Sequence, residues 1–218
     1  MAKKKSISKN DIRTWYMDYV LEHNENPKSV FVFAKMNNFD EAMFYQHFAS
    51  FDTIERDIFE AFFINTIQVL EKNEDYNIFD ARNKLLSFYY TFFENLTANR
   101  SYVVYALDTY KRDLKRLKVL TDLKKHFTAY ITDLGIQMLD FKQKQIEDIQ
   151  EKALRESAWL QLLLTMKFWL DDTSASFEKT DIFIEKSVNT TFDVLNIAPI
   201  KSVLDLGKFI FKEKIHMN

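Results

Sequence analysis

Side chains able to do chemistry are sparse in this 218-residue chain, and they are scattered. The four histidines, His23, His47, His126 and His216, form no His-x-x-x-His or Glu-x-x-His pair that would set two metal ligands on one helical face. Cysteine is absent, which removes disulfides, thiolate ligands and thiol nucleophiles. Asp171-Asp172 with Glu178 and Asp181 offers carboxylates to a cation, but successive residues on a helix point about 100° apart. Those carboxylates suit helix ends better. The chain is expected to be no enzyme and to carry no cofactor and no metal. What remains is recognition chemistry, concentrated in Asp40-Glu-Ala-Met-Phe-Tyr-Gln-His-Phe48. On a helix, Gln46 can bond adenine, Glu41 can accept from cytosine N4, and Ala42 or Met43 can touch a thymine methyl. Tyr45 and His47 can donate to phosphate oxygens or pack as rings between helices, and spacing alone leaves both open.

The elements that must position these groups read as helices throughout. Glycine occurs twice and proline twice, too few for phosphate loops, dinucleotide fingerprints or a turn-dense β architecture. Helix 1 is expected over Lys9–His23, capped by Ser8 with Asp11 three residues on. Asn26-Pro27 reads as a cap and first-turn proline for helix 2, ending near Met36. Helix 3 spans about Asp40 to Phe48. A longer helix begins at Ser50 or Asp52 and reaches Lys72, and Asn73–Asn77 reads as a polar break. Further helices are expected to about Leu96, then over Tyr102–Leu107, Leu114–Phe141, Ile146–Leu170, Phe177–Leu195 and Ile200–Phe211, with Asp171–Ser176 breaking the long pair.

The junction of helices 2 and 3 is the most specific stretch. Ala34 is small enough for close helix packing, Asn38 tolerates positive φ, Phe39 is an apolar plug, and Asp40 is a strong N-cap. Helix, tight turn and short second helix form a unit known to seat a helix in the DNA major groove. With Phe44, Tyr45, His47 and Phe48 closing it, this run resembles the DNA-binding module of the TetR family of bacterial transcription regulators. Asn38 stands at that pattern's glycine, Phe39 at its valine, Asp40 at its serine cap and Ala42 at the glycine often found in the recognition helix. The usual lysine after the final Phe and Ser is Phe51 here. Residues 168–181 and Ile184-Glu-Lys-Ser187 resemble the carboxy-terminal regulatory domain of a TetR-like subgroup.

The resemblance implies an all-α protein with a three-helix, helix-turn-helix module over residues 1–50 and a larger helical ligand-binding and dimerisation body over 51–218. It also implies a DNA-contacting set of Lys28, Ser29, Glu41, Ala42, Met43, Tyr45, Gln46 and His47, with Tyr45 and His47 turned to phosphate. The partners would be a double-stranded DNA operator, a small apolar ligand and a second copy of the chain. Charge tempers the DNA reading. Residues 1–50 carry seven Lys or Arg against six Asp or Glu, four of the cations being Lys3, Lys4, Lys5 and Lys9. Phosphate contact would therefore be local. The alternative is a TetR-fold protein that binds a lipid or another hydrophobe and has lost DNA binding, favoured by Asp40, Glu41 and Phe51.

Phe, Tyr and Trp make up 16% of the chain, dense between Phe59 and Tyr110. Phe62, Phe88, Tyr89, Phe92, Tyr105 and Trp169 are either an ordinary ring-packed core or, as the resemblance implies, the lining of a ligand pocket. The set Ala158, Leu162, Thr165, Trp169, Ile182, Ile184, Val188 and Phe192 reads as a four-helix contact with a second copy or as intramolecular packing. The amino terminus has lysines but no apolar stretch of a signal peptide, and no run approaches the ~18 apolar residues of a spanning helix. A cytoplasmic protein without membrane contact is expected.

Overall fold

The computed structural model describes residues 7–108, 118–136 and 144–196. Among them it is all-helical, with ten α-helices and no strand. In order these are α1 Lys9–His23, α2 Val30–Met36, α3 Glu41–Tyr45, α4 Phe51–Glu71, α5 Glu74–Ile78, α6 Ala81–Ala98, α7 Arg100–Asp108, α8 Thr121–Asp133, α9 Lys144–Asp171 and α10 Glu178–Asn196. By contacts the chain forms two compact units. One comprises Met1–Val69 with Thr91–Phe127, the other Leu70–Tyr90 with Thr128–Asn218.

Local chemistry sets most boundaries. The Ser8 hydroxyl accepts from the Asp11 amide at 3.1 Å and Asp11 accepts from the Ser8 amide at 2.9 Å, a reciprocal box that satisfies two helix-end donors. Helix α2 starts later than Asn26-Pro27 suggests. Its cap is Ser29, whose hydroxyl accepts from the Val32 amide at 3.2 Å, while the Asn26 side chain is engaged with Tyr16 at 2.8 Å and Glu55 at 3.4 Å. Helix α3 is shorter than Asp40–Phe48: after Tyr45 the chain tightens, and the Phe44 carbonyl accepts from the amides of both His47 and Phe48 at 2.9 Å. The Asn73–Asn77 break is itself a helical turn, α5, because Asn73 caps it through the Asp75 amide. Of the expected Leu114–Phe141 helix, Thr121–Asp133 is helical, and its ends at 114–117 and 137–141, like the expected 200–211 helix, lie outside the described residues.

The first unit has Phe33 as its amino-terminal hub. Its buried ring lies 5.7–6.4 Å from those of Tyr16, Tyr19, Phe39, Phe44 and Phe51, mostly edge to face. Two polar nodes tie α1 to α4. Tyr16 Oη donates to Glu55 at 2.6 Å, and Asp57, 7% exposed, takes both Lys9 and Arg13. Two more link α4 to α8: Arg56 with Asp122 at 3.8 Å and His126 Nε2 donating to Glu60 at 2.6 Å.

In the second unit α9 and α10 form an antiparallel hairpin. Asp172 closes it by accepting from the amide and hydroxyl of Ser174 and of Thr180, at 2.7–3.0 Å. Burial acts to raise the Asp172 pKa, but these four hydrogen bonds outweigh it and hold the carboxyl well below the usual carboxylate range. At the other end of the unit, Tyr130 Oη donates to the Lys84 carbonyl at 3.0 Å and accepts from Tyr76 at 2.9 Å.

Candidate nucleic-acid interface

The turn between α2 and α3 is a Schellman motif. Asn38 has φ of 56°, its amide donates to the Lys35 carbonyl at 3.3 Å, and the Phe39 amide reaches back to the Ala34 carbonyl at 3.0 Å. These bonds use carbonyls that the end of α2 would otherwise leave orphaned. The motif asks for an apolar contact between the residue after the turn and one near the helix end. Phe39 supplies it, 5.8 Å from Phe33 and stacked on Trp15 at 5.5 Å. Asp40 then caps α3 through the Ala42 amide at 3.0 Å. Ala34, 1% exposed, lies beneath this turn.

The aromatic ending divides by helical phase. Phe44 and Phe48 face inward, 0% and 2% exposed, and anchor α3. Ala42, Tyr45 and Gln46 are exposed, and Glu41, Met43 and His47 are half-buried. The edge of α3 is thus open rather than covered by its own unit. Tyr45 Oη makes a long 3.5 Å hydrogen bond to Glu41, and His47 Nε2 donates to the Ile7 carbonyl at 3.3 Å. That bond brings the start of α1 alongside the end of α3. Lys28 and Lys35 are exposed, and Ser29, also exposed, spends its hydroxyl on the α2 cap. All eight candidates thus sit on α3, on its end or just before α2 with side chains at least partly open, and Glu41 and Met43 also border a cavity beside the turn.

The six aromatic candidates of the body do not share one environment. Phe62, Phe92 and Tyr105 belong to the first unit, Phe88, Tyr89 and Trp169 to the second. All but half-buried Tyr105 are buried. The Phe62 carbonyl accepts from Asn95 of α6 at 3.1 Å and from Thr66 at 2.8 Å. Phe88 and Tyr89 meet edge to face at 6.0 Å, and burial pushes the Tyr89 phenol up.

Of the two readings of the α9–α10 set, intramolecular packing is the one found within the unit. Ala158, Leu162, Thr165, Trp169, Ile184, Val188 and Phe192 are all buried within the unit, and of the set Ile182 alone is exposed. The outward face is a different stripe. Leu160, Leu164 and Phe168, four residues apart on α9, are 56%, 51% and 37% exposed. Phe168 stacks on Phe183 of α10 at 4.6 Å, beside Ile182. Periodicity identified the face that the fold consumes, but not the second stripe at Leu160, Leu164 and Phe168. The polar nodes on Glu55 and Asp57 also escaped the sequence reading, since nothing in their spacing marks them from other carboxylates on α4.

No group of three or more possible metal ligands is brought together among the described residues. No helix among them is long and apolar enough to cross a membrane. Residues 84–210, more than half of the chain, match a family model described as Tetracyclin repressor-like, C-terminal domain. The sequence matches no curated protein.

Proposed function

The chain belongs to the TetR family, and from that premise we propose that it is a DNA-binding transcription regulator, a repressor, working as a cytoplasmic homodimer. Residues 1–50 would be the reading head and 51–218 the ligand-responsive and dimerising body. The observation that carries this reading is the open edge of α3, standing on a Schellman turn with Ala42, Tyr45 and Gln46 exposed. Glu41, Ala42, Met43 and Gln46 would meet base edges, and Lys28, Ser29, Tyr45 and His47 the phosphates. A twofold dimer addresses two half-sites about 34–36 Å apart, and the stripe Leu160, Leu164, Phe168 and Ile182 is the surface suited to the twofold contact. A small apolar ligand held among Phe62, Phe88, Tyr89, Phe92, Tyr105 or Trp169 would act by favouring one arrangement of the body, and only a difference in its affinity for the two arrangements can shift DNA binding.

Selection from random duplex DNA at low salt tests the reading. An enriched, twofold-related site is expected, with Lys28→Ala lowering the salt slope by about 1 and Gln46→Ala relaxing preference at one base position. No enriched site at low salt overturns it. A second reading, a TetR-fold protein binding a hydrophobe without DNA, is favoured by one surface: α2 exposes Phe31 and Met36, 59% and 55%, where phosphate contact would use cations. Native mass spectrometry retaining an apolar ligand, with no DNA enrichment, would select it.

A further inference from the structure

Beside the helix-turn-helix lies a half-open cavity of about 790 Å3, within the first unit. Small-molecule clefts run from about 300 to 1,000 Å3, so the volume suits a ligand rather than a few waters. Its apolar wall is aromatic and soft: Trp15, Phe31, Phe39 and Met43. Among the described residues its polar wall carries Asp40 and Glu41 against Lys35, two carboxylates to one cation. Rings with a carboxylate beside them select cations carrying apolar substituents, because the ring faces and the carboxylate both attract positive charge while the wall takes up the hydrocarbon.

We propose that this cavity binds a lipophilic organic monocation, of the quaternary ammonium or arylphosphonium class, with its charge against Glu41 and its apolar groups against Trp15, Phe31, Phe39 and Met43. The site lies in the reading head, apart from the aromatic body residues assigned to the regulatory ligand, and does not depend on DNA binding. Asp40 is committed to the Ala42 amide as the α3 cap, whereas Glu41 takes a long contact from Tyr45 at 3.5 Å. Glu41 can therefore turn to a ligand at little cost. Since it also heads the helix proposed to face DNA, an occupied cavity alters the charge of that face by one.

Tetraphenylphosphonium and tetraphenylborate share size and shape and differ in sign, which makes them a matched pair of probes. The full chain is titrated with each in the absence of DNA, and the indole N–H resonance of Trp15, assigned with Trp15→Phe, is followed by NMR. Trp159 and Trp169, on α9, serve as internal references. Tetraphenylphosphonium is expected to shift the Trp15 resonance saturably while the references stay, and tetraphenylborate to leave it unmoved. Glu41→Gln, checked for an unchanged Trp169 resonance, is expected to weaken binding about fivefold or more, a near-contact charge at the rim of a cavity. A still Trp15 resonance, an equal response to both ions, or unchanged affinity in Glu41→Gln each overturns the proposal, whatever the DNA selection returns.

Discussion

Removing one oxygen from Tyr16 tests how the reading head is fastened to α4. The ring is 0% exposed, stacked on Phe51 at 5.6 Å and edge-on to Phe33 at 6.4 Å, so Tyr16→Phe keeps the packing. What it removes is the hydroxyl that donates to Glu55 at 2.6 Å, a charged acceptor, and that also meets the Asn26 side-chain amide at 2.8 Å. Such bonds contribute about 1.5–3 kcal/mol, so a loss of about 2 kcal/mol at pH 7 is expected. The pH dependence supplies a second, independent sign. Burial, then the neighbouring Glu55 carboxylate, raises the Tyr16 pKa far above that of a free phenol. The folded state keeps a proton that the unfolded chain releases above about pH 10. The stabilisation from Tyr16 is therefore fully present below pH 10 and declines as pH rises further. For one such group the decline at pH 10.5 is RT ln(1 + 10^0.5), about 0.8 kcal/mol. The gap between wild type and Tyr16→Phe should narrow from about 2 to about 1.2 kcal/mol between pH 7 and 10.5. The comparison cancels the other tyrosines with raised pKa, Tyr76, Tyr89, Tyr90 and Tyr130. Urea denaturation of both proteins at the two pH values measures it. A gap under about 0.5 kcal/mol at pH 7, or one that does not narrow, refutes the reasoning.

Asn38→Gly should be neutral or stabilising, whereas Asn38→Val should cost about 1–2 kcal/mol, since a branched side chain resists the left-handed backbone there; thermal melts of the two variants decide this. The Asp172 carboxyl, with its lowered pKa, contributes stability above the unfolded carboxylate value and loses it as pH falls, so Asp172→Asn should flatten the acid limb of the stability profile between pH 5 and 3 while lowering stability at pH 7. Leu164→Asp, at an exposed position, should leave the helical content intact yet shift the sedimenting species to the monomer and with it abolish binding to a twofold site.

Much of this architecture was legible because short-range chemistry decided it. The box at Ser8 and Asp11, the left-handed Asn38 and the Asp40 cap are each fixed by residues within a few positions of one another, and each is where the sequence put it. Helix α2 was misplaced for the complementary reason. Asn26-Pro27 is a fair local start signal, but the Asn26 side chain is drawn into contact with Tyr16 and Glu55, ten and 29 residues away, and Ser29 takes over the cap. The same limit explains the α9–α10 surface. An apolar position recurring every three or four residues says that a face is buried somewhere. With apolar residues on two faces, as with Leu162 and Trp169 against Leu160 and Phe168, only the tertiary fold says which is consumed and which stays open. Of the candidate interface, the turn with its left-handed Asn38 followed from the pattern, whereas spacing alone left Tyr45 open between phosphate contact and ring packing and only the fold shows it exposed. The division of Phe44 and Phe48 from their neighbours followed from helical phase.

Helix α4 is where the two kinds of information meet. Glu55 and Asp57 hold α1, and one residue and three residues further along the helix Arg56 and Glu60 hold α8. Positions 55 to 60 cover little more than one and a half helical turns, so the two sets of bonds are carried by one rigid segment. A rotation of that segment which keeps the Glu60–His126 and Arg56–Asp122 contacts must carry Glu55 and Asp57 with it. Tyr16, Lys9 and Arg13 must then follow or lose partners that are largely shielded from water. Losing a buried charge's partner costs several kcal/mol, and the buried rings of Tyr16, Phe33 and Phe44 packed on Phe51 of α4 fasten α1, α2 and α3 to the same helix. The cheaper response to a displaced α8 is thus a displaced reading head. In the proposed regulator, that shared fastening to α4 is what would make a packing change at α8 felt at Gln46 without any direct path of contacts to the DNA-facing edge.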